Sequence, residues 1–186
     1  MCYFKNTSII PIATIIAGLP TVLGIVAVKP LSKKFTKKQL CTYPFLISAI
    51  ASGIATFVRF ENPYIWIAFI GIAMFGSAFY LVLTWALVAD CIDYQEMKTG
   101  RREESSIYAT YSLFRKVAQG LGAALISLAL GFTGYDETLG ALEQASGVAE
   151  KIYVMTGAIP FIGALICLLS MHFLYRLGDD PKAEIE

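Results

Sequence analysis

Arg115 and Lys116 are adjacent cations in a stretch, 105–135, that carries no other charge. Lys116 stands 12 positions after Glu104, about 18 Å along an α-helix at ~1.5 Å per residue. If Glu104 lies at the surface of a hydrocarbon layer about 30 Å thick, Lys116 lies near its midplane. A charge there costs roughly 2.5–3.5 kcal/mol on insertion scales, so such a residue normally faces a protein interior or a watery cavity and has a partner. None of the 14 Asp and Glu residues lies inside an apolar stretch of this sequence. The expected counter-ion of Lys116 is therefore a substrate, a carboxylate elsewhere in the protein, or another chain. The plainer alternative is a lysine bonded to helix carbonyls for packing alone. Arg115, about 100° around the helix, serves the same cavity or a neighbouring helix.

A second set of charges lies just upstream, in Asp90-Cys-Ile-Asp-Tyr-Gln-Glu-Met-Lys-Thr-Gly-Arg-Arg-Glu. Asp90 and Asp93 are three apart and share a face if the helix continues through them. Gly100 can end that helix, and Glu103, Glu104 and Ser105 suit the start of the next. Asp90, Asp93 and Glu96 against Lys98, Arg101 and Arg102 form a mixed-sign cluster. It is either a solvated loop or an ion-pair latch, made in one conformation and broken in another. The candidate latch residues are Asp90, Asp93 and Arg102.

Other chemistries are poorly supported. Cys2, Cys41, Cys91 and Cys167 are not in CxxC spacing and lie in or beside apolar stretches, as small buried hydrophobes do. His172 is the one histidine, without a second imidazole to build a metal site on. The 90–105 segment lacks EF-hand spacing. Gly120-Leu-Gly122 is in mid-span with no strand before it, which excludes a phosphate loop. No nucleophile–base pair, metal set or paired intramembrane carboxylate is legible, so an enzyme is not expected and no cofactor is called for.

The elements that must position these residues follow from composition and charge spacing. Of 186 residues, 56% are hydrophobic and 16% charged, too apolar for an ordinary soluble domain and unlike a disordered chain. A net charge of +1 provides no field for nucleic acid. Charge-free gaps run from Lys5 to Lys29, Lys38 to Arg59, Glu61 to Asp90 and Lys151 to Arg176, each long enough for a span of about 20 residues. With the Arg115–Lys116 segment they predict an all-α integral membrane protein of five transmembrane helices, about 8–28, 40–59, 64–89, 105–133 and 151–175. The first run is too long for a signal peptide and is interrupted by Pro11 and Pro20. The sequon at Asn6 sits almost on the membrane and reads as chance. Small residues recur every fourth position at Ala123, Ser127 and Gly131, at Gly120 and Ala124, and at Ala73 and Ser77, a spacing that lets helices approach closely in lipid.

Orientation follows from the basic residues. Loop 29–39 holds Lys29, Lys33, Lys34, Lys37 and Lys38. Loop 90–104 holds Lys98, Arg101 and Arg102, and the tail, 176–186, holds Arg176 and Lys182. Five alternating helices put all ten on one side, against Lys5, Arg59 and Lys151 on the other. The reading is N-terminus outside, those loops and the C-terminus cytoplasmic, and an acidic outer loop at 134–150. Tyr64 and Trp66 are placed near the outer end of the third span and Trp85 near its inner end, as interfacial aromatics. Phe69, Phe75 and Phe79 read equally as packing between helices.

The segment from Asp90 to Glu103, then Tyr108-Ala-Thr-Tyr-Ser-Leu-Phe-Arg-Lys-Val-Ala-Gln-Gly, then Gly134-Tyr135, resembles the glycoside–pentoside–hexuronide:cation symporters. These are the melibiose-permease-like branch of the major facilitator superfamily. Tyr3-Phe-Lys resembles the end of that family's seventh helix, and Pro30-Leu-Ser-Lys-Lys-Phe-Thr-Lys-Lys its basic loop between helices eight and nine. The resemblance implies that the five spans are helices eight to twelve of twelve, part of the C-terminal six-helix half. It implies that Lys116 lies near the sugar and cation sites, and that Asp90, Asp93 and Arg102 belong to a loop linked to conformational switching. Thr36, Gln95, Met97 and Ser105 depart from the residues frequent in the family.

The expectation is a fragment of a secondary active transporter in the cell (plasma or inner) membrane. It would couple Na⁺ or H⁺ to symport of a glycoside, pentoside or hexuronide by alternating access. Its partners would be membrane lipid, a small sugar and the N-terminal helices of the same transporter, which would supply the missing acids; nucleic acid is not among them. The alternatives are a non-transporting membrane scaffold or assembly subunit, and a lipid or drug carrier of the same superfamily.

Overall fold

The computed structural model describes residues 10–136, 138–139 and 143–175. Cys2, Tyr3-Phe-Lys, the sequon at Asn6, Glu137, Arg176 and Lys182 lie outside the described residues. Among the described residues are six α-helices and no strand: α1 (Ile10–Leu31), α2 (Lys37–Phe57), α3 (Pro63–Ala73), α4 (Phe75–Thr99), α5 (Glu104–Thr133) and α6 (Ser146–Leu169), the last running into a π-helical turn at Ser170–Leu174. Five stretches are long and apolar enough to cross a membrane: Ala13–Leu31, Lys37–Phe57, Pro63–Thr99, Glu104–Thr133 and Gly147–Leu174. The predicted all-helical class with five spans is what forms.

Helix boundaries follow local chemistry. Thr36 caps α2 with a full capping box: its hydroxyl accepts from Gln39 N–H at 3.1 Å, and Gln39 Oε1 accepts from Thr36 N–H at 3.2 Å. Asn62 caps α3, its Oδ1 accepting from Tyr64 N–H at 3.0 Å, with Pro63 opening the helix. Gly100 ends α4 at φ +68°, where a side chain would be strained, and its N–H donates to the Glu96 carbonyl at 2.8 Å. The third predicted span is two helices, not one. They meet at Met74, whose N–H is shared between the carbonyls of Ile70 and Gly71 at 3.2 Å each. With no proline at the junction, the flanking Gly71 and Gly76 permit the break.

α2 lies at the centre, packed against α6, α4 and α3, while α1 packs on α4 and α3. Its buried stripe runs Leu40, Cys41, Phe45, Ser48, Ala49, Ser52, Ala55, the spacing of one helical face. Small residues set the closest approaches. A Cβ on Gly76 would stand 2.7 Å from Phe45 Cδ1 and 2.8 Å from Ser48 Oγ, and Gly76 N–H donates to that hydroxyl at 2.8 Å. A Cβ on Gly157 would meet Thr56 Oγ1 at 2.6 Å and its Cα at 3.1 Å, which brings α6 onto α2.

The predicted small-residue stripe of α5 is not used in this way. Gly120, Gly122 and Gly131 have nothing within 4 Å of a built Cβ. Thr133 is the one buried residue of that helix. Leu113, Phe114, Val117, Leu121, Leu125 and Leu128 are all exposed. At ~100° per residue these six share one face about 120° wide, opposite Arg115, Lys116 and Gln119, and that apolar face requires lipid or further protein against it.

Among the aromatics, Trp66 packs on Tyr153 of α6 with ring centroids 5.5 Å apart. The Tyr153 hydroxyl donates to the Val58 carbonyl and accepts from Phe60 N–H, both at 3.2 Å, tying the α2–α3 turn to α6. Phe79 is core, Phe69 stacks on Phe60, and Trp85 remains half-exposed between Tyr108 and Tyr111.

Candidate functional site

Asp90 lies on α4, in the turns that lead toward Gly100, and is only 6% exposed. Both carboxylate oxygens accept from Lys37 Nζ, at 2.6 and 2.7 Å. Lys37 opens α2, so this two-oxygen contact fastens the start of α2 to α4. The geometry explains why Asp90 remains buried: a carboxylate taken out of water needs a paired, hydrogen-bonded cation.

One turn further, Asp93 points to a different cation. Arg102 Nη1 donates to Asp93 Oδ1 at 3.1 Å and to Glu96 Oε2 at 2.7 Å, while Arg102 Nε donates to Glu104. These three carboxylates, led by Glu104 and Glu96, hold the guanidinium protonated even more firmly than usual. One guanidinium thus ties the last turns of α4 to the first residue of α5 across Gly100. Of the three expected latch residues, the structure brings Asp93 and Arg102 together and gives Asp90 to Lys37. Lys37, Glu96 and Glu104 are partners that sequence reasoning left out of the latch. Glu96 lay in the predicted cluster, but the Lys37 contact spans 53 positions and leaves no periodic signal.

Arg115 and Lys116 are both exposed on α5. Arg115 lines a groove of about 510 Å³ between α4 and α5, with Tyr80, Thr84, Tyr111, Phe114 and Gln119 among its walls. Lys116 is not on that wall. Tyr111 is fixed by an edge-on contact with Trp85, centroids 5.9 Å apart. The Thr84 hydroxyl donates to the Tyr80 carbonyl at 2.6 Å, back within its own helix. The groove therefore offers a guanidinium, phenol hydroxyls, a carboxamide and aromatic faces, groups suited to a ligand with hydroxyls and negative charge. Among the described residues no ion pair reaches Arg115 or Lys116, and no cluster of His, Cys, Asp and Glu could hold a metal ion.

Comparison with known proteins supplies the frame for this geometry. Residues 4–179 match the family described as MFS/sugar transport protein. The chain is 33% identical over 163 residues to an uncharacterized symporter, YjmB, of Bacillus subtilis, covering 88% of this chain and 35% of that protein. It is 32% identical over 164 residues to a putative sulfoquinovose importer of Escherichia coli, covering 88% and 34%. A glucuronide carrier protein homolog of Escherichia coli is 29% identical over 177 residues, covering 92% and 38%. The chain spans about a third of the length of the curated relatives it matches. The family and these relatives are transporters and not enzymes.

Proposed function

This chain belongs to the family of MFS/sugar transport proteins, and from that premise we propose that it forms part of a cation-coupled symporter for a sugar carrying a negative charge, such as a hexuronide or a sulfonated sugar. The observation that carries the reading is the pair of mid-span cations with no acid beside them. Arg115 lies in a groove with Tyr80, Tyr111 and Gln119, and Lys116 follows on the same helix. A neutral sugar leaves the two cations without an anion, whereas a carboxylate or sulfonate neutralises one through charge-assisted hydrogen bonds. The named specificities of the sulfoquinovose importer and the glucuronide carrier are of this anionic kind.

Alternating access then assigns the loop-end ion pairs. Arg102 with Asp93, Glu96 and Glu104, and Lys37 with Asp90, are contacts that one conformation makes and the other exchanges. The basic loops 29–39 and 90–104 and the tail 176–186 are cytoplasmic in this proposal, with the N-terminus and loop 134–150 outside, in the cell membrane. The coupling ion is Na⁺ or H⁺. The acids that hold it, and that meet Lys116 in the absence of sugar, come from outside the five spans.

Ligand-dependent thermal stabilisation of the purified protein tests the substrate class. A glucuronide is expected to raise the unfolding midpoint, and the matching neutral glucoside at equal concentration is not. Replacing Arg115 by Gln removes the difference. Equal stabilisation by both sugars, persisting in Arg115→Gln, would show that the cation does not select the ligand.

A further inference from the structure

The last turn of α1 and the loop to α2 hold a second feature, independent of transport. Lys29, Lys33 and Lys34 are exposed, and among the described residues no carboxylate pairs with any of them. Of the acids at this end, Asp90 pairs with Lys37, and Asp93, Glu96 and Glu104 pair with Arg102, while Glu103 is in no ion pair among the described residues. The turn that carries the three lysines is fixed. Ser32 Oγ donates to the Lys29 carbonyl at 2.9 Å, and Lys34 and Phe35 N–H both donate to the Leu31 carbonyl at 2.9 Å. Directly below lies an apolar groove of about 230 Å³ between α1, α2 and α4, walled by Leu31, Phe35, Tyr43, Ile47 and Phe79. Gln39, the polar residue on its wall, has its carbonyl oxygen committed to the Thr36 N–H.

The groove opens on the exposed stripe of α2, where Tyr43, Ile47, Ile50 and Ile54 follow each other at helical spacing. Phe35 and Tyr43 meet edge-on at its mouth, centroids 6.2 Å apart. From Gln39 to Ile47 it descends about 12 Å along α2. Leu31 and Phe35, its uppermost walls, bracket Lys33 and Lys34 in sequence.

We propose that this is a site for one anionic phospholipid, its phosphate held by Lys29, Lys33 and Lys34 and the upper part of an acyl chain seated against Phe35, Tyr43 and Ile47. Charge complementarity selects the occupant: three cations without acids sit where an apolar groove meets the membrane surface, the arrangement a lipid phosphate with its own hydrocarbon fits. A soluble phosphate satisfies the lysines and leaves the groove open. A neutral lipid fills the groove and leaves the lysines bare.

Native mass spectrometry of the full chain, released from detergent with phosphatidylglycerol or phosphatidylcholine added, reads the site. At about fivefold per lysine near an anionic surface, phosphatidylglycerol is expected to be retained on the order of a hundredfold better than phosphatidylcholine at low salt. The combined variant Lys29→Gln, Lys33→Gln, Lys34→Gln should lose that preference and retain phosphatidylcholine as before, which reports that it is folded. The matching three-arginine variant should keep the preference. Ile47→Trp, which fills the groove, should weaken phosphatidylglycerol retention severalfold. An unchanged preference in the glutamine variant overturns the site. So does glycerol phosphate competing as well as the lipid, because the groove then contributes nothing. Retention that appears only after residues 176–186 are removed also overturns it, assigning the lysines to the acidic side chains of that tail instead.

Discussion

At the scale of single residues, the structure separates groups that the sequence places together. Asp90 and Asp93 are one turn apart, yet one is buried against Lys37 and the other half-exposed beside Arg102. Removing Lys37 should therefore matter more than removing an exposed lysine. Lys37→Met leaves a buried carboxylate without a direct cation and is expected to cost about 1–3 kcal/mol, seen as a lower unfolding midpoint in detergent, while Lys37→Arg restores most of it. Arg102→Ala should act on exchange rather than on stability, since its pairs are exposed. Sugar binding should hold while the transport rate changes severalfold, and susceptibility to protease at 100–104 should rise. Equal loss of binding and rate would place Arg102 in the binding site. Arg115 and Lys116 stand out in the sequence as charges inside an apolar span, and in the structure both are exposed. That Arg115 is the one on the α4–α5 groove is not legible there, because facing depends on which neighbour α5 chooses.

Among the helices, capping signals and charge gaps carried most of the information. Gly100 reads from the sequence as the end of α4, while Thr36 and Pro63 open α2 and α3 by local backbone chemistry that the charge gaps do not reveal. The break at Met74 escaped sequence reading because the apolar run continues through it and no proline marks it. Small-residue spacing in α5 meets no neighbour among the described residues, since such a stripe states only that close approach is sterically open. The approach is made instead by Gly76 on Ser48 and Phe45, and by Gly157 on Thr56. Gly76→Val is expected to destabilise by about 1–3 kcal/mol through overpacking, whereas Gly120→Ala on the open face of α5 should stay within about 0.5 kcal/mol. Thermal unfolding of the two variants side by side checks this. A larger penalty at Gly120 would mean that α5 is packed where it stands open in the structure.

For the whole molecule, the five spans divide unevenly. α2 packs against α3, α4 and α6, and α1 against α3 and α4, while α5 stands at the side with its cations and apolar side chains uncovered. In the proposed transporter, the face of α5 that bears Arg115 and Lys116 looks onto the central cavity. The relatives extend well beyond the matched region, and the proposed acidic partners and coupling site belong to that remainder. Gradient-driven uptake of a radiolabelled glucuronide into vesicles containing a full-length transporter of the family that carries this chain tests the central claim most directly. Uptake driven by a Na⁺ or H⁺ gradient is expected, falling roughly 10- to 150-fold when Arg115 and Lys116 are both replaced by Gln, the equivalent of one to two charge-assisted hydrogen bonds. Cation-driven uptake that persists unchanged in that double variant would contradict the account.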